Sequence, residues 1–171
     1  MSRWGAATYG DPCRVCSFSW LRTSGEAVSL IEDAPAAYRE IVSGATGRES
    51  VPELAWNVVG YIAHVADNLR VWGERLAAAT VSPGALMLVP YDGDALAAAR
   101  CYNSLPLEGG LWALDESAEA WVRAWRNVDP ASTFVHPDRG SITAEDIART
   151  NAHDVEHHRL DVTRCIAGTG R

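Results

Sequence analysis

The stretch that decides the fold is residues 50–80, SVPELAWNVVGYIAHVADNLRVWGERLAAAT. Apolar side chains recur there every three or four residues, at Leu54, Val58, Ile62, Val65, Leu69 and Trp72. This period places one apolar stripe along an amphipathic helix. Ser50 is a candidate N-cap, with Glu53 at the capping-box position and Pro52 in the first turn. The pattern therefore predicts a long helix that begins near Ser50 and packs against other helices.

Four further helical segments are predicted around this stretch. Their expected bounds are 20–41, 92–102, 111–126 and 144–166. Pro35 should kink or break the first of them. Thr143 and Asp146 form a capping box at the start of the last, which Gly168 should end. Because no alternating strand pattern stands out, the predicted fold class is all-α, an antiparallel four-helix bundle. We expect one domain over residues 1–171, with residues 1–17 as an irregular N-terminal arm.

Charge and hydropathy narrow the class of protein. The chain has 171 residues and a formal net charge of −7. An acidic surface repels phosphate backbones, which argues against a nucleic-acid partner. No apolar run approaches the ~20 residues of a membrane helix, and the N-terminus has no signal-peptide core. These observations predict a cytoplasmic protein with a small-molecule partner and no membrane partner.

Three of the five histidines are spaced as metal ligands. His153 and His157 lie four residues apart on the predicted last helix, a spacing that stacks two imidazoles on one face. His64 flanks the apolar stripe of the long helix, in a row with Tyr61 and Asn68. Bundles build metal sites from side chains on facing helices. We therefore predict one divalent transition metal (Zn, Ni or Fe) held by His64, His153 and His157, since imidazole suits these ions better than Mg or Ca.

Other titratable residues leave alternatives open. His158 directly follows His157, so either of the two is a candidate ligand, and His158 is also a candidate partner of Asp154 or Asp161. The chain has four cysteines, and Cys13 and Cys16 form a CxxC pair. A structural zinc site commonly uses two such pairs, and the second pair is missing. The favoured interpretation is two ordinary thiols, with redox activity or a position over the pocket as alternatives.

Two segments resemble the DinB-like superfamily of small metal-dependent bundle proteins. WNVVGYIAHVADNL, residues 56–69, is similar to the family's histidine-bearing second helix, with its His-x-x-Asp core at His64 and Asp67. TAEDIARTNAHDVEHHRLDV, residues 143–162, is similar to its last helix with the HxxxH pair. The segments DPCRVCSFSW and YDGDALAAARCYN resemble an actinobacterial, mycothiol-transferase-like branch. Together these segments extend the resemblance over nearly the whole chain.

The resemblance implies an up-down-down-up bundle whose metal ligands are His64, His153 and His157. It also implies a thiol-dependent S-transferase or isomerase that acts on a small electrophilic metabolite, with mycothiol as the low-molecular-weight thiol. A bound metal lowers the pKa of a coordinated thiol, which favours this chemistry. Candidate residues that orient substrate are Tyr61, Asn68 and Asp161. Candidate residues that recognise a sugar-containing thiol are Arg100, Tyr102 and Asn103.

Two non-catalytic functions compete with this interpretation. The chain has seven tryptophans, and some of them are candidates for lining a pocket that sequesters a flat metabolite. Such a binding protein would serve self-resistance in a secondary-metabolite pathway without turnover. The other alternative is a structural homodimer that pairs through a flat helical face. Stoichiometric binding without product would favour the first, and a doubled mass in solution would favour the second.

Overall fold

The computed structural model describes residues 5–82, 84–137 and 140–168. Its helices are α1 (Ala6–Tyr9), α2 (Ser24–Ile41), α3 (Val58–Ala79), α4 (Gly93–Ala99), α5 (Leu107–Trp125) and α6 (Ala144–Gly168), with a short 3-10 turn over Tyr102–Ser104. Its strands are β1 (Leu86–Met87), β2 (Thr133–His136) and β3 (Gly140–Thr143). The predicted irregular arm contains the single turn α1, and the extent of one domain over residues 1–171 stays a prediction.

The long helices α2, α3, α5 and α6 form a four-helix bundle. Both α2 and α3 pack against α5 and α6. The α3 stripe faces the core, where Val58, Ile62, Val65 and Leu69 are fully buried. Burying such side chains stabilises the fold by about 1.5–3 kcal/mol each. The helical bundle predicted from the sequence is confirmed, and no helix in the described parts of the chain is long and apolar enough to cross a membrane.

The predicted N-terminal cap is present on α6 but not on α3. The backbone N–H of Asp146 donates to the Thr143 hydroxyl, and that of Thr143 donates to the Asp146 carboxylate, which confirms the predicted capping box. The predicted start of α3 at Ser50 is wrong. Asn57 is the N-cap, and its side chain accepts from the N–H of Gly60 at 2.9 Å. The backbone of Asn103 in turn fixes the Asn57 amide at 3.0 Å.

A small sheet lies outside the predicted architecture. The strands follow the order β1-β2-β3, with β1 parallel to β2 and β2 antiparallel to β3. They escaped prediction because strands of two to four residues are too short to set a period. Phe134 and His136 turn inward from β2. The helix α2 continues through Pro35, so the predicted alternative of a helix break at Pro35 is wrong.

Candidate metal centres

Two groups of donor atoms lie side by side along α6. The first comprises Cys13, Cys16, His153 and His157, and the second comprises His64, Asp154 and His158; within each, the donor atoms lie within 4.8 Å of one another. We refer to them as the cysteine-containing group and the carboxylate-containing group. Successive residues of a helix point about 100° apart. For this reason neighbouring residues of α6 serve different groups.

The carboxylate-containing group joins α3 to α6. The Oδ1 atom of Asp154 lies 3.8 Å from Nε2 of His64 and 3.5 Å from Nε2 of His158. Two nitrogen or oxygen donors of one tetrahedral zinc ion are roughly 3.3 Å apart, as bond lengths near 2.0–2.1 Å require. The group is therefore close to the spacing that one ion needs. Two imidazoles and one carboxylate are donors that suit zinc or iron.

Outer hydrogen bonds orient this group. Asp161 lies 2.9 Å from Nδ1 of His158, which leaves Nε2 of that ring for a ligand. The side-chain NH2 of Asn68 donates to Oδ2 of Asp154 at 2.8 Å, and the Tyr91 hydroxyl donates to Oδ1 of Asn68 at 3.1 Å. Metal-binding histidines typically donate their second ring nitrogen to such a carboxylate. The donor set and its outer partners fit a divalent transition metal.

Aromatic rings hold the two histidines of this group in place. Trp56 stacks on His64 with ring centroids 5.0 Å apart. Tyr61 stacks on His158 at 5.3 Å, and the two imidazoles meet edge to face at 4.7 Å. Burial raises the pKa of the Tyr61 hydroxyl, so this phenol stays protonated at neutral pH. Its contacts are those of a packing residue beside the group.

A cavity of about 250 Å³ borders the carboxylate-containing group. His64, Asp154 and Asn68 lie on one part of its wall, and Trp72, Arg75 and Tyr91 on another. The Arg75 guanidinium lies over the Trp72 ring at 4.4 Å and over the Tyr91 ring at 5.6 Å. Such a volume lies just below the range of about 300–1,000 Å³ that is usual for small-molecule sites. His136 also lines this cavity from β2.

The cysteine-containing group joins the N-terminal arm to α6. A turn shapes the arm, because the Ser17 N–H donates to the Cys13 carbonyl at 2.9 Å and the Cys13 N–H donates to the Phe18 carbonyl at 2.8 Å. The Cys13 Sγ atom then lies 4.0 Å from Nδ1 of His157. Cys13 and His153 are buried, and Cys16 and His157 are half-buried. Their donors come from two segments that are far apart in the sequence.

Burial and neighbouring charges shift the pKa values of both groups. Burial lowers the pKa of His153 to about 4 and raises that of Cys16 to about 11. Burial also acts to lower the pKa of His158, but the carboxylates of Asp154 and Asp161 outweigh it and raise that pKa to about 9. The imidazole of His158 in turn overcomes the burial of Asp154 and holds its pKa below the usual range. Without a metal, the carboxylate-containing group thus holds a carboxylate beside an imidazolium.

The residues predicted from the sequence fall in different places. His153 and His157 lie in the cysteine-containing group and His64 in the other, so the three-histidine ligand set stays a prediction. Asn68 and Asp161 contact Asp154 and His158, two of the candidate ligands in the carboxylate-containing group. The predicted bond between His158 and Asp161 is confirmed.

The three candidates for thiol recognition face a different part of the bundle. Arg100 and Tyr102 pair with the buried carboxylate of Asp67, and the Tyr102 hydroxyl donates to it at 2.6 Å. Burial raises the pKa of Tyr102. The Asn103 side chain accepts from the Asn57 N–H at 3.0 Å. These polar groups already have hydrogen-bond or ion-pair partners within the protein, so a structural role explains them without a bound thiol.

Sequence reasoning left out Asp154 as a candidate ligand and favoured ordinary thiols for Cys13 and Cys16. One signal was available for the cysteines, because CxxC and HxxxH together supply a Cys2His2 donor set. The two halves stand too far apart in the sequence for the usual zinc-finger spacing. For Asp154 the signal was its distance of four residues from His158, the same spacing as the HxxxH pair.

The fold and the two donor groups together define a helical-bundle protein with candidate metal sites. The chain belongs to the DinB superfamily, whose family model matches residues 23–162. Cys13 and Cys16 of the cysteine-containing group precede the matched residues. No curated protein matches the chain.

Two solved structures resemble this fold. One is YfiT from Bacillus subtilis, described as a probable metal-dependent hydrolase with an unusual four-helix bundle topology; its TM-score is 0.74 at 20% identity, over 86% of this chain and 87% of that one. The other is a mutant of a mycothiol-dependent maleylpyruvate isomerase, with a TM-score of 0.65 at 18% identity, over 82% of this chain and 61% of that one. At sequence identities this low, the structural likeness shows a shared fold alone.

Proposed function

We propose that the chain is a metal-dependent S-transferase or isomerase, which adds a mycothiol-type thiol to a small electrophilic metabolite or uses the thiol to isomerise it. The observation that carries the proposal is the carboxylate-containing group: Asn68 and Asp161 orient two of its donors through hydrogen bonds, and His64 and Asp154 line a cavity. Catalytic zinc sites typically use three protein ligands and keep one position for substrate. The DinB family and the mycothiol-dependent neighbour support the thiol chemistry.

We assign the metal to His64, Asp154 and His158 in preference to the three-histidine set. The distances of 3.5 and 3.8 Å from Asp154 to the two imidazoles support this assignment. A second support is the outer carboxylate at His158, because such partners fix the tautomer and the orientation of a ligand ring. When bound, the metal supplies Lewis-acid chemistry that lowers the pKa of a coordinated thiol.

The protein's own side chains would position the reactants. Asn68 holds the Asp154 carboxylate through Oδ2, so that Oδ1 faces the two imidazoles. Arg75 is the only arginine or lysine among the described residues that line the cavity, and its guanidinium also donates to the Val89 carbonyl. We propose that Arg75 orients an anionic group of the electrophile, because guanidinium pairs well with carboxylates. This feature favours an acidic metabolite as the substrate.

The test is thiol consumption by protein loaded with zinc, nickel or iron(II). Mycothiol, bacillithiol and glutathione would each be offered with small acidic electrophiles, and the loss of free thiol or the isomerised product would be followed. We expect turnover that depends on the metal and is lost in both His64→Ala and Asp154→Ala. An Asp115→Asn variant removes a charge from α5 far from the site and should retain it. A loaded protein that neither binds nor consumes any of these thiols would refute the proposal.

The other outcomes of this assay identify different functions. Metal-dependent cleavage of an ester or amide without a thiol would indicate a hydrolase. Stoichiometric binding of a metabolite without product would indicate the self-resistance protein considered above. We also propose a cytoplasmic location and a homodimer. Trp112 is 64% exposed on α5 and is a candidate contact of this dimer. A solution mass near twice 18.5 kDa would identify the dimer.

A further inference from the structure

We propose that Cys13, Cys16, His153 and His157 bind a structural zinc ion that fastens the N-terminal arm to α6. Two thiolates and two imidazoles are a frequent ligand set of structural zinc. In such sites the four protein donors close the coordination sphere, whereas catalytic sites keep an open position. The assignment is independent of the function proposed above, because it uses different residues and needs no substrate.

The spacing of the donor atoms supports a single ion. Bond lengths of about 2.3 Å to sulfur and 2.0–2.1 Å to nitrogen place two tetrahedral ligands roughly 3.3–3.8 Å apart. The four donors already lie within 4.8 Å of one another, and Cys13 Sγ is 4.0 Å from His157 Nδ1. Small side-chain rotations would therefore bring the atoms to the coordination distance. At these donor-to-donor distances, coordination of one ion requires no movement of α6 or of the backbone of the arm.

An unpartnered buried nitrogen supplies a second, independent argument. Nε2 of His153 is buried and has no hydrogen-bond partner, although buried polar atoms are nearly always paired. His153 is 4% exposed, and the rings of Tyr9, Phe18 and Trp20 surround it at centroid distances of 4.5, 5.5 and 4.7 Å. These aromatic rings cover most of the imidazole, which also lines the cavity. A metal ion would satisfy the nitrogen that the protein leaves unpaired.

The arm has a structural reason to be fastened. The single turn α1 is the only helix among the described residues of the arm, and helices this short are not stable by themselves. Yet Tyr9 packs on His153 and also lines the cavity beside the carboxylate-containing group. A zinc ion that joins the arm to α6 would hold this wall of the cavity in position. Loss of the ion should therefore loosen the arm and leave the helical bundle folded.

The experiment compares cysteine variants of the full chain purified with zinc. Cys13→Ser and Cys16→Ser should each lose about one equivalent of zinc by elemental analysis. Cys101→Ser, which alters an exposed thiol outside the group, should lose none. Cobalt(II) substituted into the wild type should give a sulfur-to-cobalt charge-transfer absorption that both group variants lack. Asp154→Asn, which alters the other group, should keep that absorption.

A measurement on the wild type covers the case in which a cysteine variant fails to fold. A thiol-specific mercurial should release about one zinc per chain, and trypsin should then cut at Arg14 or Arg22 faster than in the zinc-bound protein. The proposal is overturned if zinc content is the same in all three cysteine variants, or if mercurial treatment releases none. It is also overturned if the protein contains a Cys13–Cys16 disulfide and the reduced protein binds no metal.

Discussion

Replacing Asp161 by asparagine tests the carboxylate-containing group most sharply. Asp161 contacts Nδ1 of His158 at 2.9 Å, and its side chain is only 7% exposed. Asparagine keeps the shape and an acceptor oxygen but removes the negative charge. The variant therefore alters the hydrogen bond behind the ligand and leaves every proposed ligand in place. We expect weaker metal binding with little change in fold.

The magnitude follows from the charge on this hydrogen bond. A hydrogen bond to a charged group contributes about 1.5–3 kcal/mol, against about 0.5–1.5 kcal/mol for a neutral one. The difference of about 1–1.5 kcal/mol corresponds to roughly tenfold in an equilibrium constant. Loss of an outer-shell partner typically costs about 10–100-fold in metal affinity. Asp161 also stabilises the imidazolium that competes with the metal. We therefore expect the zinc affinity, corrected for proton competition at His158, to fall roughly tenfold.

The assay is a competition titration with a chromophoric zinc chelator. Sites of the cysteine-containing group would be recognised by their sulfur-to-cobalt absorption, so that the affinities of the two groups are measured separately. Asp115→Asn serves as the control, because it removes an equal charge from an ion pair with Arg39 on the bundle surface. If Asp161→Asn binds zinc as tightly as the control does, then His158 is not a ligand and the carboxylate-containing group is wrongly assigned.

Three further variants test the packing that positions the site. Tyr102→Phe removes the 2.6 Å hydrogen bond to buried Asp67 and should lower the free energy of unfolding by about 1–3 kcal/mol; unchanged stability in a urea titration would contradict this. Thr143→Ala removes an N-cap and should cost about 0.5–2 kcal/mol, measured by thermal unfolding, with unchanged zinc content. Gly60→Ala would place a Cβ 2.7 Å from Cβ of Trp56 and should cost about 1–3 kcal/mol through overpacking. A Gly60→Ala protein that melts at or above the wild-type temperature would show that this contact relaxes freely.

The periodic parts of the fold were predictable because burial determines them. The α3 stripe follows from apolar spacing, and Thr143 begins α6 as its capping chemistry requires. The start of α3 was not predictable from local signals. The fixed position of Asn57 depends on Asn103, a residue that lies far along the chain. Tertiary contacts therefore overrode the local capping pattern at Ser50.

The sequence was sufficient to predict which residue types form the candidate site and which helices carry them. The histidines on α3 and α6 were recognised from spacing, but their partners depend on how α6 is rotated about its own axis. In the structure, Asp154 and His158 face the α3 row that carries Tyr61, His64 and Asn68. No single-chain pattern specifies that rotation, because His153 and His157 have the same spacing as Asp154 and His158. The contribution of the N-terminal arm was hidden for a similar reason, since nothing local links it to α6.

The pairing of adjacent residues on α6 has a consequence for how this segment tolerates change. His153 and Asp154 stand one helical turn before His157 and His158, so two consecutive turns of α6 contribute two donors to each group. Inserting or deleting one residue between these pairs would rotate one pair about 100° away from the other. Both groups would then be disrupted at once. Substitutions can alter the groups separately, but the number of residues in this turn cannot change without affecting both.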